Sequence, residues 1–268
     1  MITGVQMILI GKDIRTTTSN RRVMMTLIVM PILLSTLMPL VTIWPFVSKP
    51  VEASNEFVRD MLAAEGVAGV AEMSGPELSG AMAGSLFNKM FPLMFLMIPI
   101  TLSGTMAAGS FIGEREKNTL ETLLYSPLPL RDIFAAKILA PFFVGMAATF
   151  LSFLWMLAVL GGIAFFTGIR VPLSPNWIPI ILLIAPAVSL TAINLVVRLS
   201  AKAKTSEEAQ SSMMLLILPL MGLMIGQTNG VLRLNLVLFV AVGIGLAIVA
   251  LFLLKSSFGT FRHEKLLR

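Results

Sequence analysis

Residues 234–254 read LNLVLFVAVGIGLAIVALFLL. The stretch holds no Asp, Glu, Lys, Arg or His. It is as long as the roughly 18–20 residues a helix needs to cross about 30 Å of hydrocarbon. Five further stretches lack ionisable residues: 23–47, 90–112, 138–166, 177–197 and 211–227. The 211–227 stretch is the short one, and an intramembrane hairpin with 234–254 is the alternative to a full crossing. Backbone groups in lipid must bond internally, so helices are the expected form. The period-2 alternation of a membrane barrel is absent. The expected fold is therefore an all-α integral membrane protein with six transmembrane helices, built as one domain.

Composition agrees. Of 268 residues 56% are apolar and 13% charged, and the mean hydropathy is +0.90. Soluble domains carry about 25% charge. The absence of Cys removes disulfides and thiolate metal sites, and the lone His263 leaves no multi-histidine centre.

The basic residues set an orientation. Six spans put both termini on one side. The segment before the first span, the loops after the second and fourth, and the tail together hold 15 of the 20 Lys and Arg. The other side has Lys49, Arg59, Lys89, Arg170 and Arg233. By the positive-inside rule both termini are cytoplasmic. Trp44 and Trp177 then fall at outer span ends, where interfacial indoles belong. The net charge of +6 is accounted for by topology and anionic lipid, without nucleic acid. No cleavable signal is expected, because the first apolar run starts only at residue 23 and no small-residue site follows it.

Residues 4–22 read as an amphipathic interfacial helix, with a frayed basic tail as the alternative. Residues 48–89 form the long external loop. A short helix is expected around 53–65, followed by a flexible Gly/Ala-rich stretch; the loop's six acidic residues serve mainly solubility.

A charge at mid-bilayer costs about 2.5–3.5 kcal/mol, and chains that keep one generally use it for an ion or proton path. No span has one. That disfavours gradient-driven transport through carboxylates, voltage sensing and intramembrane proteolysis. Small residues support close helix approach: Gly104 and Ala108 in the second span, Gly222 and Gly226 as a GxxxG in the fifth. These four are expected to pack against a second subunit, with contacts within the chain as the alternative.

The cytoplasmic loop 113–137 is the richest segment. On a helical wheel Leu120, Leu123 and Leu124 share one side, while Glu114, Arg115, Lys117, Asn118, Glu121 and Thr122 cover the other. Glu116 falls inside the leucine arc, where it either complements a helix dipole or is buried against a partner. Pro127 and Pro129 stop the helix. On composition alone a solvated juxtamembrane turn is the favoured reading. In the second loop, 198–210, Thr205 and Glu208 fit a capping box. A phosphate-binding loop needs GxxxxGK[ST]; the sole Gly-Lys pair, Gly11-Lys12, precedes Asp13 and lacks the earlier glycine. Nucleotide hydrolysis by this chain is not expected.

GEREKNTLETLL with SPLPLRDIFAAK at 113–137 resembles the signature of the ABC-2 type permeases, the membrane subunits of one class of ABC transporter. AKTSEEAQ at 203–210 is similar to the family's second cytoplasmic loop, and FRHEKLL at 261–267 to its C-terminus. The resemblance implies a coupling helix docking into an ATPase through Glu114, Arg115, Glu116, Thr119, Leu120, Glu121, Leu123 and Leu124. It implies a secondary contact at Thr205, Glu207 and Glu208, and an elbow helix at 4–22. It further implies two ATPase subunits carrying ATP and Mg, a second identical or related permease, no catalysis or cofactor in this chain, and an exporter in the plasma membrane. The rival reading is a membrane protein without an ATPase, such as a lipid scramblase or assembly factor.

Overall fold

The computed structural model describes residues 7–8, 10–12, 14–15, 21–116, 130–200, 208, 211, 213–228 and 235–260. Among them every long element is helical. We number the helices α1 (Arg21–Ser48), α2 (Glu56–Ala64), α3 (Gly75–Phe95), α4 (Met97–Glu116), α5 (Leu130–Thr167), α6 (Ala185–Ser200), α7 (Met214–Thr228) and α8 (Leu236–Thr260). A short turn, Trp177–Pro179, and a π-helical turn, Ile180–Ile184, run directly into α6.

Five segments are long and apolar enough to cross a bilayer: Leu27–Ser48, Gly75–Ile112, Asp132–Thr167, Trp177–Arg198 and Leu236–Ser256. The sixth expected span is the 15-residue α7. At 1.5 Å per residue it is about 22 Å long, short of the hydrocarbon thickness.

The helix α1 survives three internal prolines, Pro31, Pro39 and Pro45. Each removes one backbone N–H, which costs a helix dearly in water. In an apolar setting hydroxyls can reinforce the ladder. Ser35 Oγ donates to Pro31 O at 2.5 Å, and Thr42 Oγ1 to Met38 O at 2.8 Å.

The second span differs most from expectation. The helix that carries it begins at Gly75, well before the uncharged stretch 90–112, because α3 and α4 form one rod interrupted only at Leu96. The stretch expected to be a flexible part of the 48–89 loop is thus helix. Its start is fixed by Ser74-Gly-Pro-Glu77: the Glu77 carboxylate accepts from the Ser74 N–H at 2.7 Å, and Pro76 sits where no amide donor is needed. The helix that precedes it, α2, matches the expectation for 53–65. Asn55 caps it, accepting from the Val58 N–H, and Val58 and Leu62 pack with Leu78 and Ala81 of α3.

The rod α3–α4 and the Trp177–Arg198 segment form the centre, being 78% and 72% buried over their most apolar windows; the other spans are 17–28% buried. Small residues permit the contact. Ser103 Oγ and Ser189 Oγ lie 2.6 Å apart, and both residues are fully buried. A Cβ on Gly145 of α5 would come within 2.0 Å of Ser103 Oγ, so three helices converge there.

At one end of the bundle a cap covers the rod. The Arg59 guanidinium donates to Ala53 O (2.9 and 2.7 Å), Met73 O (2.9 Å) and Val70 O, drawing three turns together. Asn88 is bonded on both atoms: its Nδ2 donates to Gly84 O and Pro172 O, and its Oδ1 accepts from the Ser174 N–H and Trp177 Nε1. Trp177 is consequently no interfacial indole. It is 3% exposed and stacks among Phe87, Phe91, Phe95 and Phe153. Trp44, 64% exposed, stays on the surface.

The final helix α8 runs parallel to α6. Gly243 faces Leu183 and Ile184, and Arg198 Nη2 donates to Leu253 O at 3.3 Å. Since α6 ends at Ser200 and α8 starts at the Trp177 end, residues 201–235 return the chain from one end to the other. The short α7 lies on this return, packed on α3.

Two outcomes follow. In Gly80→Ala the new methyl would stand 2.2 Å from Arg170 O, so the cap must shift; thermal unfolding in detergent should show a loss of about 1–3 kcal/mol. Gly161→Ala, with nothing within 4 Å, should show none. Burial raises the Glu65 pKa, but Lys89 and Ser85, bonded to its carboxylate, together hold it below the usual value. This stabilisation is present above the ordinary carboxylate range and is lost as pH falls through the lowered pKa. Amide exchange of the cap should therefore quicken on acidification, and Lys89→Met, which leaves burial opposed by Ser85 alone, should weaken or reverse that dependence.

Candidate coupling site at the basic end of the bundle

The end opposite the cap is where the sequence places its charged loop. Two helices frame that loop. The rod runs in as α4 to Glu116, and α5 leaves from Leu130. Helical backbone thus reaches Glu114, Arg115 and Glu116. Thr119, Leu120, Glu121, Leu123 and Leu124 lie outside the described residues.

What the structure supplies is the frame's fastening. Lys137, at the threshold of the third span, is 5% exposed. Its Nζ donates to Ser110 O at 2.7 Å and sits 5.4 Å from the centre of the Phe111 ring. Phe111 in turn meets Phe134 with ring centres 5.8 Å apart. A buried ammonium is costly to hold, and charge-assisted hydrogen bonding with a cation–π contact offsets that cost. The consequence is geometric. The two helix ends flanking 117–129 are clamped to each other one to two turns inside the bundle. The contact ties α4 to α5 at this level.

The N-terminal segment joins this frame. The described residues 7–8, 10–12 and 14–15 are helical. Ile10 is 9% exposed and packs with Met106 of α4 and with Ala136 and Ala140 of α5. Met7 and Ile8 are 65% and 74% exposed, so the segment turns apolar side chains both inward and outward.

Of the second loop, Thr205 and Glu207 lie outside the described residues, while Glu208 is helical and exposed. The packing residues separate. Ala108 is fully buried in the core shared by α4 and α6, and a Cβ on Gly104 would strike the Met213 thioether at 2.3 Å. Both are used inside this chain, because the core helices leave no surface there. A Cβ on Gly222 would meet nothing within 4 Å, and Gly226 is partly exposed.

Sequence reading missed two of the fastenings. Ser74-x-x-Glu77 is a visible capping box, and Pro76 strengthens it. Lys137 was counted among loop charges; no local pattern shows that its ammonium turns back onto Ser110.

Among the described residues no cluster of three or more His, Asp or Glu is placed to hold a metal. The assembly is a helical membrane protein whose polar groups fasten helices. A family profile described as ABC-2 family transporter protein matches residues 76–236, more than half of the chain. The protein belongs to the ABC-2 transporter family and is a permease of that type. No curated protein and no solved structure matches the chain.

The clamp makes a prediction. Lys137→Met should leave the melting temperature unchanged or raise it, since a buried charge is exchanged for an apolar group of similar length. Spin labels at Gly109→Cys and Ala135→Cys should nevertheless show a broader distance distribution in that background. An unbroadened distribution would mean that Lys137 holds nothing together.

Proposed function

We propose that this chain is the transmembrane subunit of an ATP-driven ABC exporter. Two copies, or one copy and a related permease, form the path, and two cytoplasmic ATPase subunits supply the force. ATP and Mg belong to those subunits; this chain catalyses no bond chemistry. The observation that carries the reading is the clamp of α4 to α5 on either side of residues 117–129, in a chain of this family. A lever needs a stiff arm fixed to what it moves. A helix at 114–125 rooted in clamped helix ends meets that requirement.

The mechanism follows from the packing. Closure of the ATPase dimer presses on 114–125, with Glu114, Arg115, Glu116 and Glu121 making the polar contacts and Leu120, Leu123 and Leu124 the apolar ones. Thr119 lies among them, and Thr205, Glu207 and Glu208 make the secondary contact. The load passes through Lys137 and Phe111 to α4 and α5 together, and by way of Ser103 and Ser189 to α6. Spans that move as a group open one side of the path and close the other.

In this reading the chain crosses the plasma membrane six times, with α7 and its flanking residues as the fifth crossing. The parallel course of α6 and α8 supports it, since the chain between them must return. Both termini are cytoplasmic, on the basic side, and residues 4–22 lie as an elbow helix at the inner interface. Gly222 and Gly226 face the second permease.

The test is co-purification. The wild-type chain should bring down an ABC ATPase subunit, and Leu123→Asp or Glu116→Lys should lose it while inserting normally. Transport by the chain alone, or capture unaffected by either substitution, would sink the proposal.

A further inference from the structure

Among the described residues of the spans, two turns leave the α pattern, and they are neighbours. The rod is interrupted at Leu96, and the 177–200 segment passes through the π-helical turn Ile180–Ile184. In that turn the Ala185 N–H donates to Ile180 O, five residues back in place of four. Each irregular turn stands just ahead of a proline. Pro99 has no N–H to offer Phe95 O, and Pro186 has none for Leu182 O. The bonds beside them are long: Ile100 N–H to Leu96 O and Ile180 N–H to Asn176 O, both at 3.4 Å.

Proline by itself does not explain this. The helix α1 keeps its pattern through three prolines, α5 through Pro141 and α7 through Pro219. What sets the two turns apart is that they share one level of the bundle. Leu96 and Ile100 pack in one core with Ile180, Ile184 and Ala185, and the Phe95 and Trp177 ring centres lie 5.5 Å apart. The final helix α8 makes room for the widened turn with Gly243, where a Cβ would stand 2.6 Å from Leu183 Cδ2.

The two helices are fastened on both sides of that level. Toward the cap, Trp177 Nε1 donates to Asn88 Oδ1 at 3.1 Å, and α2 packs on α3 through Val58, Leu62, Leu78 and Ala81. Toward the basic end, Ser103 and Ser189 bond each other at 2.6 Å, and Lys137 ties α5 to α4. Pieces fastened in this way keep their shape, and a helix bends where its ladder of bonds is incomplete.

We infer that residues 95–99 and 180–186 are paired hinges, a single bending level at which the inner bundle swings against the capped outer end. The hinge is a property of this chain. That closure of an ATPase drives it rests on the exporter reading.

The experiment uses the full chain in lipid nanodiscs. The sequence holds no Cys, so spin labels go only where a Cys is introduced. Three pairs are compared: Ala64→Cys with Met90→Cys in the outer body, Gly109→Cys with Ala135→Cys in the inner body, and Ala64→Cys with Gly109→Cys across the hinge. The third pair should give a distance distribution several-fold broader than the other two. Pro99→Ala with Pro186→Ala returns both amide donors and should narrow the third pair alone. Equal widths in all three pairs, an outer pair as broad as the third, or no narrowing in the double variant would overturn the inference. Hydrogen exchange on the unmodified chain decides the matter even where the double variant does not insert. The Ile184 and Ala185 amides should exchange several-fold faster than those of Ala192 and Ile193, although all four residues are buried. Equal protection counts against the hinge. In a complex with the ATPase, non-hydrolysable ATP should shift the third distance and leave the other two in place. A complex that hydrolyses ATP with the third distance fixed overturns the drive assigned to the hinge. A chain that captures no ATPase fails the exporter reading, and the nanodisc results still decide the hinge.

Discussion

The structure depends on the close approach of two helices that lipid cannot separate. Where no water competes, a bundle is held by dispersion between well-fitted surfaces and by the few hydrogen bonds that cross between helices. The rod α3–α4 and the Trp177–Ser200 segment satisfy both conditions at one level. Ser103 bonds Ser189, Gly145 admits the Ser103 hydroxyl, and Ala107, Ala108, Ala185 and Ala192 are fully buried around them. The remaining helices are laid onto that centre, and their outer faces stay apolar. A larger residue at Gly145 would part three helices at once.

The two ends are built differently. At the cap, neutral groups are saturated locally: Arg59 gathers carbonyls from three turns, and Asn88 uses both side-chain atoms on the 172–177 segment. At the basic end, among the described residues, a buried cation and two phenyl rings help fasten α4 to α5. An end with many local bonds resists deformation.

Much of the fold was legible in the residues. Uncharged stretches located the helices, because a backbone in hydrocarbon has no partner but itself. The amphipathic α2 was readable from Phe57, Met61 and Leu62 set beside Glu56 and Asp60. The start of the helix that carries the second span was missed because Gly and Ala in 75–86 look like linker by composition. Their smallness instead lets the Arg170 backbone press against Gly80 and the Pro172 ring against Gly84. Of the candidate site, the charged loop and its wheel pattern were visible, whereas its fastening was not.

The sequence by itself determined that the protein is a helical membrane protein, that its basic residues collect at alternate span ends, and that it lacks a phosphate-binding loop. These are properties of composition and order, imposed by the cost of placing charge or bare backbone in hydrocarbon. Only the tertiary structure decided that Trp177 is core and not interface, that Gly104 serves Met213, that α6 and α8 run side by side in one direction, and that Lys137 reaches Ser110. Each of these depends on which helix lies next to which, a relation between residues 24 to 109 positions apart that local periodicity does not encode.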